Sequence, residues 1–288
     1  MKKTCNSIKN CNEEKKLLFE KRGYKIFECK KCDHRFTEIN DAENHVAIIY
    51  GDQYFFEGKA GYPNYLNEKD ILYNYGIAYS KIISKYASPG HVLDIGCAAG
   101  FILKGFKDSG WKGSGIEPNE TMASYGKKQL NLNITTGNLE TFESSEKFDL
   151  INVIQVIGHF YDLDKAILKI SHLLKDDGLV LVESWDMKSS VARLFGKNWH
   201  EYSPPSVVQW FSDKTLEDIF EFYGFKLISK GYPPKKINIE HALSLIEEKI
   251  FRFPFKKKLF RFSIKLLGKY NLNYPPLDLK WYLFRKVQ

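Results

Sequence analysis

Apolar and polar positions along this chain change period several times. Between residues 68 and 86, Ile71, Leu72, Tyr75, Ala78, Tyr79, Ile82 and Ile83 recur at helical spacing, which predicts a helix ending before Pro89-Gly90. Beyond it, short apolar runs alternate with helical stretches. Residues 92–95, 113–117, 134–136, 148–155 and 179–183 read as strands, and 101–109, 121–130 and 163–174 as helices. Gly110 closes the first of these helices, and Asp176-Asp177-Gly178 stops the third. A long insertion, 185–211, precedes Ser212, an N-cap for a helix over 213–223 closed by Gly224. Residues 225–229 and 280–284 are the last strand candidates. This alternation predicts an α/β fold, a doubly wound and largely parallel sheet with helices on both faces. Ligands then bind beyond the C-terminal strand ends, where strand order reverses.

Four segments follow from the same pattern. Residues 1–40 carry four of the five cysteines and read as a small zinc-ribbon-like unit, with an alternating stretch at 24–27 leading into Cys29-Lys30-Lys31-Cys32. Residues 41–88 are an aromatic loop, holding Tyr50, Tyr54, Phe55, Phe56, Tyr62 and Tyr65, and then the first helix. Residues 89–232 are the alternating domain, with 185–211 as its lid. Residues 233–288 are a basic helical segment and the final strand.

Composition narrows the function. With 43% apolar and 27% charged residues over 288 positions, the chain can bury a full core. The net charge of +8 is uneven: 226–288 alone carries fifteen Lys/Arg against four Asp/Glu, so the rest is close to neutral. A nucleic-acid channel through the alternating domain is not expected. No apolar run reaches the roughly eighteen residues of a transmembrane helix, and the N-terminal lysines have no apolar stretch behind them, so a cytoplasmic location is expected.

The turn after the first strand reads Asp94-Ile95-Gly96-Cys97-Ala98-Ala99-Gly100. Small residues let backbone approach a ligand, and the following helix N-terminus offers free N–H groups to an anion. A nicotinamide fingerprint fits poorly, because Ala98 and Phe101 stand at its second and third glycines, and the Gly-Lys-Ser/Thr of a phosphate loop is absent. Asp94 before the turn suits an ammonium group and the helix N-terminus suits a carboxylate. Together they match the amino-acid end of S-adenosylmethionine. Glu117, ending the second strand, is placed to bind ribose hydroxyls. Asn138 is placed to reach adenine, and Leu139 to cover it.

The segments VLDIGCAAG, GSGIEPN, FDLINVIQVIGHF and LLKDDGLVLVES resemble the successive motifs of class I S-adenosylmethionine-dependent methyltransferases, in particular bacterial ubiquinone-biosynthesis and sugar methyltransferases. The resemblance spans about residues 50–232. It implies a seven-stranded Rossmann-like sheet of order 3-2-1-4-5-7-6 with strand 7 antiparallel. It also implies cofactor contacts at Asp94, Gly96, Gly100, Glu117, Asn138, Leu139 and Gln155, with Tyr65 in a segment that closes over the cofactor. Three positions depart from the pattern: Ala98 replaces a glycine, Asn138 an aspartate, and Gly158 a glutamate, so no catalytic metal is expected. Asn138 is expected to keep an acceptor for the adenine amino group.

Methyl transfer needs an aligned nucleophile and often a base. His159, after the fourth strand, is the first candidate. His200 and Tyr202 in the lid are further catalytic candidates. The lid aromatics Trp185, Trp199, Tyr202 and Trp210 either stack on an acceptor ring or pack a satellite core. Four thiolates, Cys5, Cys11, Cys29 and Cys32, would close a structural zinc site, although the Cys5–Cys11 spacing is wide. The segment 249–269 carries eight Lys/Arg and no acid, and reads as a solvated helical face or as a peripheral membrane contact. Three functions remain open. The first is methylation of a small-molecule, sugar or glycan-precursor acceptor, the second of a quinone or lipid-linked acceptor, and the third a non-catalytic cofactor-binding or zinc-ribbon interaction protein.

Overall fold

The structure, a computed structural model, describes residues 15–39, 46, 49–56, 64–234, 236–238, 271–273 and 275–287. Strands β1 (Lys15–Lys21) and β2 (Tyr24–Cys29) form an antiparallel hairpin. Its turn, Arg22-Gly23, has φ of 53° and 79°, the left-handed pair that a tight hairpin of this twist requires. β3 (Arg35–Thr37) extends this sheet and then pairs with a lid strand, β9 (Gln209–Trp210), Arg35 lying opposite Trp210. The boundary expected after residue 40 therefore does not isolate the described N-terminal strands. They share one four-stranded sheet, β1-β2-β3-β9, with the lid.

A short helix α1 (Asp52–Phe56) precedes α2 (Lys69–Ile83), the helix predicted at 68–86. Then come β4 (His91–Ile95), α3 (Phe101–Asp108), β5 (Lys112–Glu117), α4 (Glu120–Leu130), β6 (Asn133–Thr136) and β7 (Phe148–Ile154). Next are α5 (Leu163–Leu173), β8 (Leu174–Trp185), the lid helix α6 (Ser190–Phe195), α7 (Asp213–Phe222) and β10 (Phe225–Gly231). β13 (Leu279–Lys286) completes the central sheet. Every residue of β4 is buried, as expected of a parallel strand covered on both faces. Ser212 caps α7 by accepting from the Thr215 N–H at 3.2 Å. α2 and α3 cross with their backbones nearly touching. A Cβ on Gly76 would lie 2.1 Å from the Ile102 carbonyl oxygen, which only glycine avoids.

The sheet order is β6-β5-β4-β7-β8-β13-β10, with β13 antiparallel to both neighbours. Numbered within the sheet, this is 3-2-1-4-5-7-6, the expected Rossmann-like arrangement. The chain leaves β4 toward β5 on one side, and the later strands β7 and β8 build the other. The order thus reverses between β4 and β7, which opens a crevice at their carboxyl ends.

Residues 233–275 form a second unit, in which β11 (Lys236–Asn238) pairs antiparallel with β12 (Asn271–Asn273). Residues 276–288 belong instead with the main unit, so the expected 233–288 segment is divided. The basic helical stretch at 249–269 lies outside the described residues. Among the described residues, no helix is long and apolar enough to cross a membrane.

Candidate active site

Asp94 to Ala98 cross the mouth of the crevice in a bend held by two N–H groups, those of Gly96 and Cys97. Both donate to the Ile116 carbonyl, at 2.9 and 3.1 Å. Gly96, Ala98 and Gly100 have φ of 67°, 49° and 79°. A Cβ at Gly96 would meet Val156 Cγ2 at 2.8 Å, so the bend lies tight against the start of the loop after β7. Ala98 holds a left-handed conformation that costs alanine roughly 1–2 kcal/mol. Its N–H donates to Glu117 Oε2 at 2.8 Å, which offsets part of that cost.

Glu117 ends β5 almost fully buried, and its other oxygen accepts from the Asn119 N–H at 2.8 Å. Burial raises its pKa to about 7, against the downward pull of the two backbone donors. Asp94 is raised to about 7 as well, by burial first and by the Glu117 charge second, with the Asn152 amide acting in the opposite sense. Among the described residues, no cation is a principal partner of either buried carboxyl, and the pair is poised for a positively charged, hydroxyl-bearing ligand. The Cys97 thiol beside them is pushed well above its ordinary range by burial and by these two acids, so it is not a reactive thiolate.

The remaining wall comes from three other loops. Leu139, 2% exposed, and Asn138 follow β6. Asn138 Oδ1 accepts from both the Thr141 N–H (3.0 Å) and the Thr141 hydroxyl (2.7 Å), so the amide turns its NH2 rather than its oxygen outward. The expected acceptor for an adenine amino group is therefore already engaged. Gln155, at φ 56°, follows β7; its side-chain amide donates to Glu183 Oε1 at 2.8 Å. The same buried carboxylate accepts from the hydroxyls of Tyr75 and Tyr79 on α2, tying that helix to the end of β8. Tyr65 lies against Phe101, ring centroids 5.9 Å apart, and closes the near side.

Asp94, Gly96, Glu117, Asn138, Leu139, Gln155, Tyr65 and His159 all line this one cavity. Gly100 does not. It caps α3, and a Cβ there would strike Leu132 at 2.5 Å, so its smallness serves packing between α3 and the strand beyond. His159 follows β7 in a short turn (Ile157–His159), half-buried, with Nδ1 2.6 Å from the Tyr50 hydroxyl and 2.7 Å from the Ser206 carbonyl. Tyr50 and Tyr54, from the aromatic segment, also line the cavity. Tyr50 carried no periodic or motif signal in the sequence.

The lid candidates go elsewhere. Tyr202, 2% exposed, packs between Trp199 and Trp210 in a satellite core with Ile26, and its hydroxyl contacts the Arg35 guanidinium. His200 is exposed, edge-on to Trp185 at 4.6 Å, and is not part of the cavity wall. The lid aromatics thus pack the N-terminal sheet onto the lid. Cys29 and Cys32 form a knuckle in which the Lys31 N–H donates to Cys29 Sγ at 3.4 Å, while Cys5 and Cys11 lie outside the described residues. Among the described residues, no group of three or more metal-ligating side chains comes together.

Known proteins agree with this geometry. The sequence profile of a family described as a methyltransferase domain matches residues 75–230, just over half the chain. (S)-coclaurine N-methyltransferase of Papaver somniferum is 28% identical over 130 residues, which cover 42% of this chain and 35% of that enzyme. Ubiquinone biosynthesis O-methyltransferase of Rickettsia prowazekii is 26% identical over 160 residues, 48% of this chain and 63% of the relative. The chain thus spans less than two thirds of either of these relatives. A solved SAM-dependent methyltransferase from Archaeoglobus fulgidus superposes with a TM-score of 0.52 at 17% identity, covering 77% of this chain and 99% of that one. Magnesium protoporphyrin IX methyltransferase from Synechocystis PCC 6803 with bound SAH gives 0.52 at 13%, covering 82% and 97%. These two structures share the fold. With the sheet order, the acid-flanked bend and the profile match in agreement, the chain belongs to the S-adenosylmethionine-dependent methyltransferases.

Proposed function

We propose that this enzyme methylates a small-molecule acceptor that enters beside Tyr50, Tyr54 and His159, with His159 as general base. One observation carries the reading: His159 shares a continuous cavity wall with Asp94, Gly96 and Glu117, the residues that fit the cofactor. When bound, S-adenosylmethionine supplies an electrophilic methyl carbon on a sulfonium. Asp94 would hold its ammonium group, Glu117 its ribose hydroxyls, and Leu139 one face of its adenine. The Tyr50–Tyr54 side then orients the acceptor, and His159 takes the proton its nucleophile must lose.

The acceptor is a sugar, a glycan precursor or an aromatic ring such as a quinone. The aromatic wall supports a ring or sugar face, and the relatives named for ubiquinone biosynthesis favour the quinone alternative. A panel of sugar-nucleotide, phenolic and amine acceptors, assayed for S-adenosylhomocysteine release, tests this. His159→Ala should spare cofactor binding and lower turnover by about 10²–10⁴-fold if it is the base. Full activity in that variant would remove His159 from the chemistry. The Cys29–Cys32 knuckle, with its N–H to sulfur bond, fits half of a structural zinc site completed by Cys5 and Cys11. Metal analysis of the purified chain, with Cys29→Ser as control, checks that proposal.

A further inference from the structure

The Nδ1 side of His159 is enclosed by two oxygens from distant parts of the chain. The Ser206 carbonyl, on the lid, lies 2.7 Å from Nδ1. The Tyr50 hydroxyl, on the aromatic segment, lies 2.6 Å from it and 2.7 Å from the same carbonyl. A carbonyl oxygen has no proton to give. A bare Nδ1 at that distance would oppose lone pair to lone pair, so Nδ1 must carry a hydrogen. The Tyr50 hydroxyl faces the same carbonyl and donates to it for the same reason. Its own lone pair is then turned toward Nδ1–H. The reverse arrangement, with Tyr50 donating to Nδ1, leaves the carbonyl against an unprotonated ring nitrogen and the hydroxyl proton drawn away from it.

We infer that His159 is locked as the Nδ1–H tautomer, with Nε2 as the basic nitrogen, and that Tyr50 is the positioning residue which does this together with the Ser206 carbonyl. The functional half of this inference rests on the reading of His159 as the base. When Nε2 gains a proton, the positive ring keeps two acceptors at Nδ1, which stabilises the imidazolium. Tyr50 thus occupies the place a carboxylate takes in a hydrolase triad, with a neutral acceptor instead of a charged one. The arrangement also makes the base depend on two segments outside the alternating core. The Tyr50 N–H is anchored to the Val46 carbonyl at 3.0 Å. Ser206 is held by its own N–H and hydroxyl, both on the Ser203 carbonyl, at 3.2 and 2.8 Å. The base is therefore complete only when both segments are docked. Among the described residues, the other titratable groups facing the same spaces as His159 include Tyr54, Tyr161, Asp94, Glu117 and Glu140 on one side and Glu183 and Glu201 on the other, and Tyr54, Glu117 and Glu201 also act on Tyr50.

The tautomer itself is tested without an acceptor. The full chain is labelled with 15N in its histidine rings, and long-range proton–nitrogen spectra are recorded across pH, with and without S-adenosylhomocysteine. The His159 signals are those missing from His159→Gln. The neutral ring should show the Nδ1–H pattern. Tyr50→Phe should keep that pattern, because the carbonyl remains, but lower the titration midpoint by about half a pH unit or more through loss of one acceptor. An Nε2–H pattern in the wild type overturns the inference, and that spectrum decides even if Tyr50→Phe does not fold. A midpoint unmoved by Tyr50→Phe overturns the role of Tyr50. The base reading fails separately. An Nδ1–H ring whose removal leaves turnover intact contradicts the base assignment, whereas an Nε2–H ring with turnover lost in His159→Ala contradicts only this inference.

Discussion

At the scale of single residues, two buried acids control how the site responds to pH. Free carboxyls titrate near 4, and Asp94 and Glu117 are raised by burial to about 7. Between those values the folded chain holds protons that the unfolded chain has released. The unfolding free energy of the ligand-free protein therefore falls as pH rises through the window from about 4 to 7. Asp94→Asn should flatten that slope in denaturant titrations. A cationic cofactor favours the ionised acids, so its affinity should rise over the same interval; affinity constant from pH 5.5 to 8 would argue against Asp94 as its ammonium partner. Asn138 offers a second residue-scale expectation. Its oxygen already accepts two hydrogen bonds from Thr141. Asn138→Asp restores a second oxygen that can accept from the adenine amino group. Affinity for S-adenosylhomocysteine should then rise by a few-fold, roughly the value of one hydrogen bond. An unchanged or weakened affinity would show that the adenine is read elsewhere.

At the scale of elements, the alternating domain was legible and the attachments were not. β4 to β8 announced themselves through apolar runs bounded by turn residues, and Ser212 and Gly224 marked both ends of α7 within a residue. The catalytic placement of Tyr202 failed because a lid rich in tryptophan and tyrosine has the same composition whether it lines a pocket or packs against a second sheet. What decides is β3 pairing with β9 across more than 170 residues of sequence, a contact that no local pattern encodes. β1 and β3 carried no comparable signal: no residue of β1 is buried, and β3 takes its second neighbour from the lid. The same absence of local signal hid Tyr50, which stands in no periodic run and acquires its neighbours His159 and Ser206 only in the folded chain. The lid and the N-terminal sheet should consequently behave as one cooperative unit. Trp210→Ala, which empties a 1% exposed site, should cost about 3–5 kcal/mol and raise hydrogen exchange in β1 to β3 together with 185–211. Faster exchange confined to the lid would separate the two.

At the scale of the whole molecule, the last strand closes the fold. β13 lies between β8 and β10 and contributes five buried apolar side chains, Leu279, Trp281, Tyr282, Leu283 and Phe284. Without it, β10 loses its one sheet neighbour among the described residues, and β8 becomes an exposed apolar edge. A chain ended at residue 275 should therefore lose cooperative unfolding, whereas internal loss of 239–270 leaves every strand of the central sheet in place. A cooperative thermal transition in the 275-residue chain, like that of the full chain, would contradict this assignment. The acid-flanked bend at the carboxyl edge of this sheet is the expected S-adenosylmethionine site. Isothermal titration with S-adenosylmethionine and S-adenosylhomocysteine tests it most directly. Saturable binding of both by the wild type is expected, weakened about tenfold or more in Glu117→Ala and lost in Gly96→Val, whose side chain would collide with Val156. No binding of either compound by the folded wild-type chain at millimolar concentration, or unimpaired binding by Gly96→Val, would contradict it.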